Sequence, residues 1–527
     1  MTGGDDGYVS DVAYSAKAFP DLAPVNLRLA ALVAGVDGAP LRPGSVVWEL
    51  GCGYGNSLIA AAVAHPACRF VGVDYNPAHI AGGHERIETL GLRNIELLDA
   101  DLVDLADRPG SLPSCDVAVL HGLYSWVGEP IRAAVRRLLA WGVRPGGLVY
   151  VSYNSMPGAG AMAVAQRTVL ELSRLSVGRS DLRIKEAADH LDRLKTAGAH
   201  HLNATDDIAR QVERLKRGAG HELVHEYLNE GWAALFHSQV AADLEDARLT
   251  YVGSAVPHEN FRASLLTPAQ MKMIEDVPLS SVRETIVDLF VRRILRRDLF
   301  VRGPRPLGEA QRDRLLWDTW FCSRVHPDAV TLTLSWPAGS VTLPDAYGEA
   351  ARVLWREGPR PLGALLAGPL APVKPVPREA AALLVASGIA WPCRPDRAPE
   401  TLAAMKRAVL ELGAEVRAIG LHHNGMIPAP AVGTDVPVGG LEARVLEGLW
   451  SGVQAEASAL AAHVWAPMEA AGESLVHKGE RIQEPGRCRA LLTEIMTGLQ
   501  DTRFPLWRGL GMLPPSGPTM ATQGDGA

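Results

Sequence analysis

The loop Glu49-Leu50-Gly51-Cys52-Gly53-Tyr54-Gly55 follows the apolar run Ser45-Val46-Val47-Trp48, and a second apolar run, Arg69-Phe70-Val71-Gly72-Val73, ends in Asp74. This order predicts strand, glycine turn, helix, strand and acid, the opening of a parallel α/β sheet. Glycines let the backbone turn tightly and approach a ligand, and a helix opening at Asn56 points its free N–H groups at whatever sits there. An acid roughly 20 residues past the loop is placed to take both hydroxyls of a ribose. A nucleoside cofactor is therefore expected. The glycine spacing departs from the G-x-G-x-x-G dinucleotide fingerprint, and Glu49 would repel a pyrophosphate while suiting a sulfonium or an amino group. The residues point to S-adenosylmethionine rather than NAD.

The run continues in the same style. Asn94-Ile95-Glu96-Leu97-Leu98 reads as a third strand and leads into Asp99-Ala100-Asp101-Leu102. Ser114-Cys115-Asp116-Val117-Ala118-Val119-Leu120 reads as a buried fourth strand and ends in His121-Gly122-Leu123-Tyr124-Ser125-Trp126. Leu148-Val149-Tyr150-Val151-Ser152 predicts a fifth, delivering Tyr153-Asn154 to the same rim. In open α/β sheets ligands meet the carboxyl ends of strands, so His121, Tyr124, Trp126, Tyr153 and Asn154 are the candidate catalytic residues. The loop, the acids and their order resemble class I S-adenosylmethionine-dependent methyltransferases. That resemblance implies a cofactor site of Glu49, Gly51, Cys52, Gly53, Gly55, Asp74, Tyr75, Asp101, Leu102 and His121, with Asp101 meeting the adenine amino group.

A narrower resemblance rests on four motifs in order: Phe19-Pro20-Asp21-Leu22-Ala23-Pro24, His121 to Trp126, Ser152-Tyr153-Asn154-Ser155-Met156-Pro157-Gly158, and His225-Glu226-Tyr227-Leu228-Asn229. Together they resemble methyltransferases carrying a methyltransferase regulatory domain, a group that includes the rickettsial lysine methyltransferases of outer-membrane proteins. The resemblance spans residues 8–303 and implies a protein or peptide substrate with a nitrogen acceptor. Ala159 stands where the family pattern has an aromatic residue, which leaves the acceptor open between a lysine amine and an asparagine amide. Small-molecule methylation is the enzymatic alternative. A non-catalytic binding or regulatory protein is the alternative of another class, and the intact loop and acids argue against it.

The expected architecture is an α/β, Rossmann-like class I methyltransferase sheet in residues 1–160, interrupted by a helical insertion placed as a lid at 161–246. Closing strands follow at 247–303. The insertion shows apolar stripes at Ile184, Ala187, Leu191 and Leu194 and at Ile208, Val212 and Leu215, the second opened by the cap Thr205-Asp206-Asp207 and ended at Gly218. Beyond the Gly303-Pro304-Arg305-Pro306-Leu307 linker, residues 304–513 predict a strand at Ala329 to Ser335, then helices and a closing strand in a winged-helix-like order, then long helices at Leu402 to Ile419 and Leu441 to Val464. Only Arg360, Lys374 and Arg378 lie near the second helix of that module, so peptide docking is expected there rather than nucleic acid. Residues 514–527 read as a flexible tail.

Composition narrows the classes further. The net charge of −7 comes with no basic run able to track a phosphate backbone, so no nucleic-acid partner is expected. The six cysteines, Cys52, Cys68, Cys115, Cys322, Cys393 and Cys488, form no C-x-x-C pair, and they are expected to be reduced core residues rather than metal ligands. The start Met1 to Asp6 lacks a basic, apolar leader and no apolar stretch is long enough to span a bilayer, so a cytoplasmic protein with no membrane partner is expected.

Overall fold

The computed structural model describes residues 17–203, 206–217, 220–477 and 480–515. The cap residue Thr205, the stop at Gly218, the first residues including Met1 to Asp6, and the tail beyond residue 515 lie outside these. Seven strands form one sheet: β1 (Val46–Leu50), β2 (Arg69–Asp74), β3 (Ile95–Asp99), β4 (Cys115–Leu120), β5 (Val143–Asn154), β6 (Thr250–Ser254) and β7 (Leu295–Val301). Their order is β3-β2-β1-β4-β5-β7-β6, with β7 antiparallel to both neighbours and β1 to β5 parallel. The strand order reverses between β1 and β4, and there the glycine loop leaves β1. That crevice is where an open α/β sheet binds ligands.

Helices α1 (Pro24–Ala34), α2 (Asn56–Ala64), α3 (Pro77–Leu90), α4 (Leu102–Ala106) and α5 (Glu129–Gly142) cover the sheet. Pro at the first turns of α1, α3 and α5 suits helix starts, and Asn76 caps α3 by accepting from the backbone of Ala78 and His79. The insertion comprises α6 (Gly160–Ser173), α7 (Ser180–Thr196), α8 (Asp206–Arg217) and α9 (Gly220–Tyr227). It has its own core, built on Val169, Ile184, Leu191, Val212, Val224 and Tyr227. The next helix, α10 (His237–Asp246), was expected within the lid, but Val240 and Leu244 instead join the core of α5 and β5. The helical insertion with its own core therefore ends before residue 237. Between β6 and β7 run α11 (Arg262–Leu265), α12 (Pro268–Glu275) and α13 (Ser280–Val291).

The C-terminal part contains the expected winged-helix-like order, but the strand beside the wing is Trp320–Ser323, which pairs with Ala390–Cys393 and Arg360–Pro361. The strand read at Ala329 to Ser335 is instead Thr333–Trp336, one arm of a hairpin with Gly339–Thr342. The long helix read from Leu441 to Val464 is two, Gly440–Trp450 and Ala457–Ala470, parted where Gly452 takes a positive φ of 90°. None of this hangs free of the sheet domain. Ile59 and Val63 of α2 and Leu90 of α3 are buried in the same core as Met405, Val409, Ile427 and Leu446. Leu29, Leu32 and Val33 of α1 are buried with Phe321, Leu354 and Leu384.

Candidate functional site

The glycine loop is the floor of a cavity. Gly51, Gly53 and Gly55 all have positive φ, between 55° and 74°, a region that side chains rarely adopt. A Cβ on Gly51 would also press on Leu123, and one on Gly55 on Leu97. Gly55 caps α2, so the helix N-terminus points at the loop. Asp74, at the carboxyl end of β2, ties the loop down: Gly53 N–H donates to Oδ2 (2.7 Å) and Asn76 N–H to Oδ1 (3.0 Å). The His79 ring also lies against Oδ1 (Nδ1 at 3.4 Å), so it is Oδ2 that keeps a second lone pair for a ligand hydroxyl.

Glu49, the penultimate residue of β1, lies near Asp74 and is 6% exposed. Burial first, then the Asp74 charge, pushes its carboxyl up to about 8. A cation placed between these two acids would relieve both penalties. Burial also raises the Cys52 thiol well above its ordinary value, with Glu49 and Asp74 adding to the effect, so Cys52 is a neutral wall and not a nucleophile. On the opposite side His121 leaves the end of β4. Its Nδ1 lies 3.1 Å from the Tyr150 hydroxyl and 3.3 Å from Ser152 Oγ, and its ring packs 4.1 Å from that of Phe19. Burial, offset by Asp21 and reinforced by Arg297, lowers its pKa to about 4. His121 is therefore neutral at pH 7, with Nε2 the nitrogen available to a ligand.

Seven of the sequence-read residues meet around the cavity: Glu49, Gly51, Cys52, Gly53, Asp74, His121 and Trp126. Others do not. Tyr124 is fully buried and donates its hydroxyl to Asp243 of α10 (2.8 Å). Tyr153, expected beside the acceptor, lies on the other face of β5, where its hydroxyl donates to Asp298 Oδ2 (2.7 Å) and lies 3.1 Å from His237 Nδ1. Asn154 is 9% exposed, with Nδ2 toward Met162 Sδ of the lid (3.9 Å). A pocket walled by Tyr124, Trp126 and Tyr153 is thus corrected to one walled by Trp126 alone of the three. Asp101 accepts from Val103 N–H (2.7 Å) and caps α4, Leu102 is buried in the core, and Tyr75 is exposed beside Asp74.

The cavity also draws on residues that were not read as site residues: Lys17, Phe19, Tyr54, Asn56, Ser57, His79, Leu123, Val127, His225 and Asn229. Two short motifs carried the signal. The Phe19-Pro20-Asp21 segment reaches the rim because Phe19 N–H donates to Ser57 Oγ (2.9 Å). The His225 to Asn229 segment reaches it because Asn229 Nδ2 donates to Trp126 O (2.8 Å) while its Oδ1 accepts from Gly231 N–H (2.8 Å). The helical insertion is thereby hydrogen-bonded to the loop after β4. A paired-acid floor at a helix N-terminus under an aromatic, neutral-imidazole roof fits a nucleoside with a cationic arm.

Comparison with known proteins agrees with that chemistry. Residues 48–149 match the family model of a methyltransferase domain, and residues 219–302 match that of a predicted methyltransferase regulatory domain. An uncharacterized protein of Synechocystis sp. is 27% identical over 513 residues, 96% of this chain and 99% of its own length. An uncharacterized protein of Rickettsia prowazekii is 27% identical over 254 residues, covering 47% of this chain and 44% of its own. The structure of PKMT2 from Rickettsia typhi, also solved in complex with AdoHcy, superposes with a TM-score of 0.69 at 16% identity, covering 95% of this chain and 99% of that one. The fold is therefore shared from the sheet domain into the C-terminal helices.

Proposed function

We propose that this chain, a class I S-adenosylmethionine-dependent methyltransferase with a methyltransferase regulatory domain, methylates a side-chain nitrogen of a protein or peptide. The observation that carries the reading is that Phe19 packs against the neutral His121 while Trp126 and Val127 line the same cavity, which we read as its acceptor end. S-adenosylmethionine, when bound, supplies an electrophilic methyl carbon on a sulfonium. Glu49 and Asp74 would hold the cofactor's cationic and ribose groups, and the backbone of Gly51 to Gly55 would lie against it.

The protein's task at the acceptor is to present a nitrogen lone pair. A lysine amine has a pKa near 10.4, and keeping it neutral near pH 7 requires a shift of about 3 pH units, roughly 4 kcal/mol. Exclusion of water by Phe19, Trp126 and Val127 favours the neutral amine, and a neutral His121 adds no second cation beside the sulfonium. For an asparagine amide, whose lone pair is delocalised, His121 Nε2 and the nearby His225 are the groups placed to orient the nitrogen and take its proton. The regulatory segment supplies His225 and Asn229 to this wall, so lid and acceptor site form one structure.

A small-molecule acceptor is the second reading. Trans-aconitate 2-methyltransferase of Paracidovorax citrulli is 33% identical, but over only 21% of this chain. One experiment separates the two: the full chain is incubated with isotope-labelled S-adenosylmethionine and either a lysine- and asparagine-containing peptide library or a metabolite extract. Label on a peptide side-chain nitrogen, located by fragmentation mass spectrometry, is the expected result. Label confined to the metabolite fraction would replace the peptide reading with the small-molecule one.

A further inference from the structure

We infer that the C-terminal region braces the cofactor site through Asp435 and Arg86, and that Asp435 is a positioning residue for cofactor binding. Asn56, the first residue of α2, lines the cavity, and its Oδ1 accepts from Arg86 Nη1 on α3 (2.6 Å). The other terminal nitrogen of the same guanidinium, Nη2, lies 2.7 Å from Asp435 Oδ2. Asp435 belongs to the second arm of the Gly425–Ala429 and Thr434–Val438 hairpin, about 350 residues along the chain, and its carboxylate is 1% exposed. Among the described residues, Arg86 is its one ion-pair partner, and neither carboxylate oxygen has a further hydrogen bond. A buried carboxylate with a single cation holds that cation firmly, because separating them leaves an uncompensated charge.

The surroundings make the brace rigid. Thr401 Oγ1 donates to Val63 O at the far end of α2 (2.8 Å), Arg407 Nη1 to Leu90 O at the end of α3 (2.6 Å), and the Arg394 guanidinium lies 2.8 Å from His65 Nδ1 just past α2. The region thus grips both ends of α2: Thr401 and Arg394 at its C-terminus, and Asp435, through Arg86, at the N-terminus that faces the cofactor. Without the Asp435 charge, the Arg86 side chain is released toward solvent and Asn56 loses the partner that fixes it against the cavity. The effect falls on cofactor affinity. It rests on the glycine loop binding the cofactor and not on which acceptor is methylated, so it is tested without an acceptor.

The test is calorimetric titration of the full chain with S-adenosylhomocysteine. Asp435→Asn is expected to weaken binding about tenfold, the size of effect usual for a group that orients a ligand-contacting residue. Asp435→Glu, which keeps the charge, should retain more affinity than Asp435→Asn. Leu460→Ala removes a buried side chain from the same C-terminal core away from Arg86, and should cost thermal stability while leaving affinity within twofold. In an Asn56→Ala background Asp435→Asn should add no further loss, because the link is already cut. Arg86→Gln provides the same readout from the other side of the pair should Asp435→Asn fail to fold. Affinity within twofold of the parent for Asp435→Asn or Arg86→Gln would overturn the inference, as would losses that multiply in the Asn56 double variant.

Discussion

Two carboxylates a strand apart set the electrostatics of the cofactor site, and they differ in state. Asp74 is held by two backbone N–H donors, whereas Glu49 is buried against it and carries a proton up to about pH 8. A cationic ligand favours the Glu49 carboxylate, so binding below pH 8 releases a proton and binding above it does not. Affinity for S-adenosylmethionine should therefore rise by up to about tenfold per pH unit approaching pH 8 and flatten above it. Glu49→Gln should bind more weakly at pH 8 and lose that slope. Titrations in buffers of different ionisation enthalpy count the released protons, and an unchanged slope in Glu49→Gln would assign the linkage elsewhere. Both acids were legible in the sequence because their positions follow from strand ends and glycine spacing alone. His225 and Asn229 were legible as a motif but their place in the cavity was not, because a residue brought in by an insertion has no fixed offset from the loop it joins.

Strand alternation decides which face of β5 each aromatic occupies. Tyr150 and Ser152 point to the cavity side and hold His121, so Tyr153 must point away. The reading of Tyr153 as a catalytic residue treated the end of the strand as a rim and overlooked that parity. Its actual surroundings are a buried ionic cluster: Arg296 bonds Asp288, Asp298 and Glu284, and Asp298 bonds His237. Burial pushes the Asp298 carboxyl up, but Arg296 and the hydrogen bonds of His237 and Tyr153 outweigh it and hold the group below the usual carboxylate range. The cluster ties β5 and β7 to α10 and α13, which explains why α10 belongs to the core and not to the lid. Tyr153→Phe should accordingly destabilise the fold by about 1–3 kcal/mol while leaving cofactor affinity and kcat within twofold. Thermal unfolding together with single-turnover rates checks this, and a large loss of kcat at unchanged stability would return Tyr153 to the catalytic site.

At the scale of the whole molecule, helix α2 explains why the C-terminal region is not a detachable module. Its sequence, Asn56-Ser57-Leu58-Ile59-Ala60-Ala61-Ala62-Val63-Ala64, is apolar on every side, and a helix of that kind must be covered all round. Leu58, Ala61 and Ala62 face the sheet, while Ile59 and Val63 face the C-terminal core. The Pro-rich linker at Gly303 to Leu307 reads as a boundary, but the buried faces of α1 and α2 reach across it, and the residues of α2 were there to be read. Ending the chain at Arg302 would uncover Ile59, Val63 and Leu90 and, on the other side, Leu29, Leu32 and Val33 of α1. At about 1.5–3 kcal/mol for each fully buried apolar side chain, the loss is on the order of 10 kcal/mol, comparable with the entire stability of a typical domain. It would also remove Asp435 from Arg86. The truncated protein should therefore aggregate or lack a cooperative unfolding transition, and should bind S-adenosylhomocysteine far more weakly than the full chain. A soluble, cooperatively melting 17–302 fragment with the full chain's affinity would show that the sheet domain needs neither the cover nor the brace.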